Sequence, residues 1–84
     1  MWQSNMRLDK FLKVSRLIKR RTVANEACDS ERVFVNGRPA KASYDVKVGD
    51  KLELHFGART LAVEVLAVAE AVRKDDASAM YREL

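Results

Sequence analysis

Between Arg7 and Arg21 the chain places seven cations, Arg7, Lys10, Lys13, Arg16, Lys19, Arg20 and Arg21, against one acid, Asp9. Lys13, Arg16, Lys19 and Arg20 stand three or four residues apart, so a continuous helix would put them on one face, where like charges repel by about some tenths of a kcal/mol per pair. Lys19, Arg20 and Arg21 also come just before an expected second helix. Its N-terminus carries partial positive charge, and each cation there is unfavourable by about 0.3–1 kcal/mol. Arg7, at the start of the first helix, is placed the same way. Folding gains nothing from this arrangement. An anion relieves it, because free N–H groups at a helix start and flanking guanidinium groups both favour phosphate. Arginine outnumbers lysine from Arg16 to Arg21, which suits bidentate phosphate contact or stacking on a base. The candidate anion-binding residues are therefore Arg7, Lys13, Arg16, Lys19, Arg20 and Arg21. The plainer reading, a charged face that is simply solvated, explains an ordinary run of charge but not this placement.

Other chemistry-bearing residues point elsewhere. Cys28 falls on an apolar stripe and reads as a buried thiol rather than a nucleophile. His55 stands alone on a strand face without ligand partners, so no metal site is expected. Asp9 sits in the first turn of a helix, where the dipole favours a carboxylate. Lys41, Lys47 and Lys51 either extend the basic surface or solvate strands. The basic stretch has no interleaved aromatics for stacking single-stranded bases. Structured RNA, read through phosphates and 2′-hydroxyls, is the expected polyanion.

The elements that must position these residues follow from periodicity. Leu8, Phe11 and Leu12, with Ser15 at the edge, mark one face of a first helix, and Leu17 and Ile18 are expected core plugs in the connection. A second helix is expected to begin at Thr22 as N-cap and run to about Ser30, with Val23, Ala24, Ala27 and Cys28 inward. Both are too short to stand alone in water. The support is β structure. Arg32 to Gly37 reads as a strand entering an Asn-Gly hairpin, Leu52, Leu54 and Phe56 alternate with Glu53 and His55, and Leu61 to Val68 is apolar on both faces, as in a central strand or one with a helix packed over it. Asp75 to Leu84 regains a helical pattern with Met80, Tyr81 and Leu84 on one side.

Eighty-four residues make one domain. The net charge of +4 is unevenly distributed, with seven bases against one acid before Thr22 and nine against eleven after it. Such a field steers polyanions to one end. No apolar run is long enough to span a bilayer and no signal peptide is evident, so a cytoplasmic protein without membrane attachment is expected. A single cysteine builds neither a disulfide nor a zinc site. No cofactor is expected. No exposed apolar stripe is left over to demand a dimer, which points to a monomer.

Three segments, Arg21-Thr-Val-Ala24, Arg32-Val-Phe-Val-Asn-Gly37 and Val48-Gly-Asp-Lys-Leu52, resemble the S4 RNA-binding domain in order and spacing over about residues 7–56. The opening MRLDKFLKVSRLIKRR, the length and the strand at Leu61 to Val68 are similar, more narrowly, to the stand-alone S4 proteins of bacterial ribosome-associated quality control and their heat-shock relatives. The resemblance implies an α+β, S4-like (αL) fold: two short N-terminal helices on a small, mostly antiparallel sheet, then a short C-terminal helix. The domain is expected at 6–70, after a flexible extension at 1–5 that shows no periodicity and before a tail at 71–84 expected to be helical. The resemblance also marks Arg7 as an RNA contact. The implied activity is not enzymatic. It is binding to rRNA of the obstructed large ribosomal subunit and steadying of its peptidyl-tRNA, while a protein partner adds a C-terminal tail to the stalled chain. The heat-shock branch rescues such subunits differently and carries longer basic C-terminal extensions, which favours the quality-control branch here. A further alternative is an accessory module of an RNA-modifying enzyme. Arg7-Leu-Asp9 superficially resembles the catalytic aspartate motif of pseudouridine synthases, but that aspartate belongs to a separate large domain.

Overall fold

The computed structural model describes residues 6–68 and 78–84. The extension expected at 1–5, and the expected C-terminal helix as far as residue 77, lie outside the described residues. The chain opens with a two-residue strand, β1 (Met6–Arg7), and passes straight into helix α1 (Leu8–Val14). Leu8, Phe11 and Leu12 are fully buried, as their spacing predicts. The helix then stops. Ser15 caps it, and Arg16 adopts the left-handed conformation at φ 65° while its N–H bonds the Lys13 carbonyl at 3.1 Å. Ile18 is held against α1 by its N–H on the Leu12 carbonyl at 3.0 Å, and is buried as expected. The cations from Lys13 to Arg20 consequently do not share one helical face.

Helix α2 (Arg21–Asp29) has Arg20, in extended conformation, as its N-cap, two residues before the expected Thr22. The Ala24 N–H reaches the Arg20 carbonyl at 3.0 Å, which fixes that start. Ala24 and Cys28 are fully buried and Ala27 partly so, but Val23 is 49% exposed. The inward stripe is thus narrower than the four residues expected. Glu31, at φ 60°, ends α2, with its N–H on Cys28 and that of Arg32 on Ala27.

The main sheet holds five antiparallel strands in the order β3-β2-β5-β6-β7: β2 (Val33–Val35), β3 (Arg38–Pro39), β5 (Lys51–Phe56), β6 (Arg59–Val65) and β7 (Tyr81–Glu83). Val35 pairs with Arg38 across Asn36 and Gly37, whose φ values of 53° and 85° fit the type I′ hairpin that Asn-Gly specifies. Leu52 and Leu54 are buried, while Phe56, beside the next turn, is 44% exposed. β6 lies between β5 and β7, next to the edge strand rather than at the centre, and runs Arg59–Val65, ending three residues before the expected Val68. A second, two-stranded sheet joins β1 to β4 (Asp45–Val46), with Arg7 opposite Asp45.

The C-terminal helix is not found in the described part of that segment. Ser78–Met80 forms a single 3-10 turn and Tyr81–Glu83 is a strand. The free edge of β6 would otherwise expose a row of unpaired backbone groups. Met80 closes the core beside it, with its carbonyl accepting the Leu66 N–H at 2.8 Å, and Val65 pairs with Tyr81. One core unites helices and sheet around Phe11, Leu8, Leu12, Leu52, Leu54 and Val63. The architecture is the α+β arrangement of two helices on an antiparallel sheet. Among the described residues no helix is long and apolar enough to cross a membrane.

Candidate nucleic-acid interface

All six candidate cations are exposed. They come from four places: Arg7 at the junction of β1 and α1, Lys13 in the last turn of α1, Arg16, Lys19 and Arg20 along the connection, and Arg21 as the first residue of α2. Lys13 and Arg16, in the last turn and just beyond the C-cap of α1, stand at the end where the helix dipole favours a cation, but the backbone of Arg16 is unfavourable. A left-handed conformation costs a non-glycine residue about 1–2 kcal/mol, and glycine is the usual residue at a helix-ending position. α2 starts with neither a side-chain cap nor an acid in its first turn. Its leading N–H groups are thus left for water or an external anion, with Arg20 and Arg21 on either side of the helix boundary.

Arg7 and Arg21 are brought together by a residue that the sequence reading treats only as a helix-dipole partner. Asp9 is 2% exposed. Its Oδ1 accepts from Arg7 Nε at 3.2 Å and from the Lys10 backbone N–H at 2.8 Å. Its Oδ2 accepts from Arg7 Nη2 at 3.4 Å, Arg21 Nε at 3.4 Å and Asn25 Nδ2 at 3.2 Å. Burial alone would push this carboxyl's pKa up. The hydrogen bonds from Arg7, Asn25 and Arg21, with the Arg21 charge, outweigh burial and hold it below the usual carboxylate value. Both arginine side chains remain 48% exposed. The sequence signal for this hub is a lone acid two residues after Arg7, in a segment otherwise free of acids. What closes it, Arg21 and Asn25, lies twelve and sixteen residues away.

A second buried carboxylate organises the loop side. Asp50 accepts from the Tyr44 hydroxyl at 3.0 Å, the Lys47 backbone N–H at 3.1 Å and Asn36 Nδ2 at 3.2 Å. Burial, then the bond to Asp50, raises the Tyr44 pKa. Lys47 Nζ lies 5.9 Å from the centre of the Tyr44 ring, and Tyr44 shares an open groove with Arg38 and Lys41. An aromatic does therefore stand among cations here, away from the stretch 7–21. Lys51 lines a separate depression with Glu53.

The remaining candidates have structural surroundings. The Cys28 thiol is buried and its pKa is pushed up to about 12, first by burial, which makes it unreactive at neutral pH. The His55 ring meets Phe34 edge-on at 4.9 Å, and its Nε2 lies 3.7 Å from Glu53 Oε1. Among the described residues no group of three or more His, Cys, Asp and Glu side chains could hold a metal.

Comparison with known proteins accords with this geometry. The S4 domain model matches residues 6–52. The RQC P-site tRNA stabilizing factor of Halalkalibacterium halodurans is 58% identical over 76 residues, covering 90% of this chain and 86% of the relative. That of Streptococcus pneumoniae is 55% identical over the same length and coverage. Among solved structures, the trimeric heat shock protein 15 of Vibrio cholerae superposes with a TM-score of 0.88 at 30% identity, over 95% of this chain and 82% of that one. With the domain match spanning more than half of its length and relatives this similar along nine-tenths of it, the chain belongs to the S4 domain family, in the branch of the RQC P-site tRNA stabilizing factors.

Proposed function

We propose that this chain is a non-enzymatic RNA-binding factor of bacterial ribosome-associated quality control. It acts in the cytoplasm on the obstructed large ribosomal subunit. Arg7, Lys13, Arg16, Lys19, Arg20 and Arg21 bind rRNA and steady the peptidyl-tRNA, while a protein partner extends the stalled chain at its C-terminus. One observation carries the RNA-binding part: Arg20 and Arg21 stand at the uncapped start of α2, where the helix dipole opposes cations, and a buried carboxylate holds Arg7 beside Arg21. The tRNA and the quality-control setting are supported by the names of relatives that are more than half identical. Phosphate contacts fix register on A-form RNA without reading its sequence, which suits a factor that always meets the same ribosomal surface.

Co-sedimentation with purified large subunits tests the reading. Arg16→Glu and Arg20→Glu, at exposed positions that make no contact with the buried Asp9, should each weaken binding about tenfold or more while the domain stays folded, and log affinity should fall linearly with log salt. Full co-sedimentation of both variants at near-physiological salt would sink it. The close superposition on heat shock protein 15 favours one second reading, rescue of the subunit without tailing. A tailing reaction reconstituted with and without this chain separates the two: stimulation supports the first, and subunit binding without stimulation supports the second.

A further inference from the structure

Asp9 faces two arginines that the sequence separates by fourteen positions and the fold places in different elements, β1 and α2. Arg7 commits Nε and Nη2 to it, and Arg21 commits Nε. A guanidinium has five N–H donors in a rigid fork, so both keep donors on half-exposed side chains that point the rest of the group to solvent. The two cations and one carboxylate sum to a single positive charge. That matches one phosphodiester. Beside the cluster, the depression lined by Asp9, Arg21, Thr22, Asn25 and Glu26 carries a further acid on its rim, which disfavours a second phosphate there.

We propose that Arg7 and Arg21 act as one receptor for a single backbone phosphate, and that Asp9, with Asn25 behind it, is the positioning residue that assembles the receptor before RNA arrives. This rests on the RNA-binding reading above and goes further, because it makes two contacts one unit and gives a role to a residue that touches no RNA. Long exposed side chains normally lose rotamer freedom on binding, and prior fixation removes that cost. The tie is to a carboxylate shielded from solvent, so salt screens it less than a surface ion pair.

Two measurements on the full chain decide the matter. In the free protein, the Nε–H protons of Arg7 and Arg21 should exchange with water at least about tenfold more slowly than those of Arg16 and Arg20, since only the first two are hydrogen-bonded to a buried acceptor. Equal exchange overturns the proposal, and this result does not depend on any variant folding. Asp9→Asn should then weaken binding to large subunits about tenfold, the order expected when two such side chains are ordered only on contact. The same substitution should change nothing further in an Arg7→Ala, Arg21→Ala background. Full-strength binding by folded Asp9→Asn, or an undiminished effect in that background, overturns the positioning role while leaving the functional reading intact. Wild-type protein that ignores large subunits overturns both.

Discussion

At the scale of single residues, the two most informative side chains are Arg16, which its backbone conformation opposes, and Asp9, which its partners hold charged despite burial. Arg16 holds a left-handed backbone that costs about 1–2 kcal/mol, more than the roughly 0.5–1 kcal/mol of extra chain entropy that glycine loses on folding. Arg16→Gly should therefore raise stability by about 0.5 kcal/mol in urea denaturation, yet weaken large-subunit binding and lower the salt slope by about one. Loss of stability together with retained affinity would make Arg16 a structural residue only. Asp9 gives a pH prediction. Its folded pKa lies below the unfolded value, so its contribution is complete above that value, about 3.9, and is lost as pH falls through the folded pKa. The stability gap between wild type and Asp9→Asn, about 2 kcal/mol at neutral pH for hydrogen bonds to a charged group, should hold from pH 8 to about 5 and close below about 4. A gap that persists unchanged into acid would show that Asp9 contributes by packing alone. The basic residues themselves were legible because their cost is local. Asp9 was not, because its role needs Arg21 and Asn25, which only the tertiary fold delivers.

At the scale of elements, legibility tracks how much of each one is determined by neighbours in sequence. Asn36-Gly37 specifies its own turn type, and the hairpin stands as expected. The end of α1 also stands as expected, because its apolar face runs out near Ser15 and the connection from Val14 to Arg21 follows, with Ile18 buried. Met80, Tyr81 and Leu84 mimic a helix face, while a three-residue strand is too short to display alternation. What selects strand is the hydrogen-bonding edge of β6, a demand made by a segment far upstream. Met80, at 2% exposure, is the anchor of that edge. Met80→Ala should cost about 2–4 kcal/mol, visible as a lowered denaturation midpoint, and should increase amide exchange in Tyr81–Glu83 and Val63–Val65. Loss of stability without any change at those amides would mean that β7 is held independently of Met80.

At the scale of the whole molecule, charge and topology divide the labour. The segment before Thr22 supplies the positive field, and the slightly acidic remainder supplies the sheet and most of the core, a polarity readable from composition alone. What composition does not reveal is how the basic segment is fastened. β1 pairs with β4, so Arg7 lies opposite Asp45, and the Leu8 and Asp9 N–H groups bond the carbonyls of Tyr44 and Ala42. Met6 to Asp9 are thus stitched to residues made 33 to 40 positions later. During translation the leading arginines exist long before the strand that fixes them. A nascent copy accordingly carries the charge of the finished protein without its geometry. That geometry is complete only once Val46 is free to fold back onto Met6.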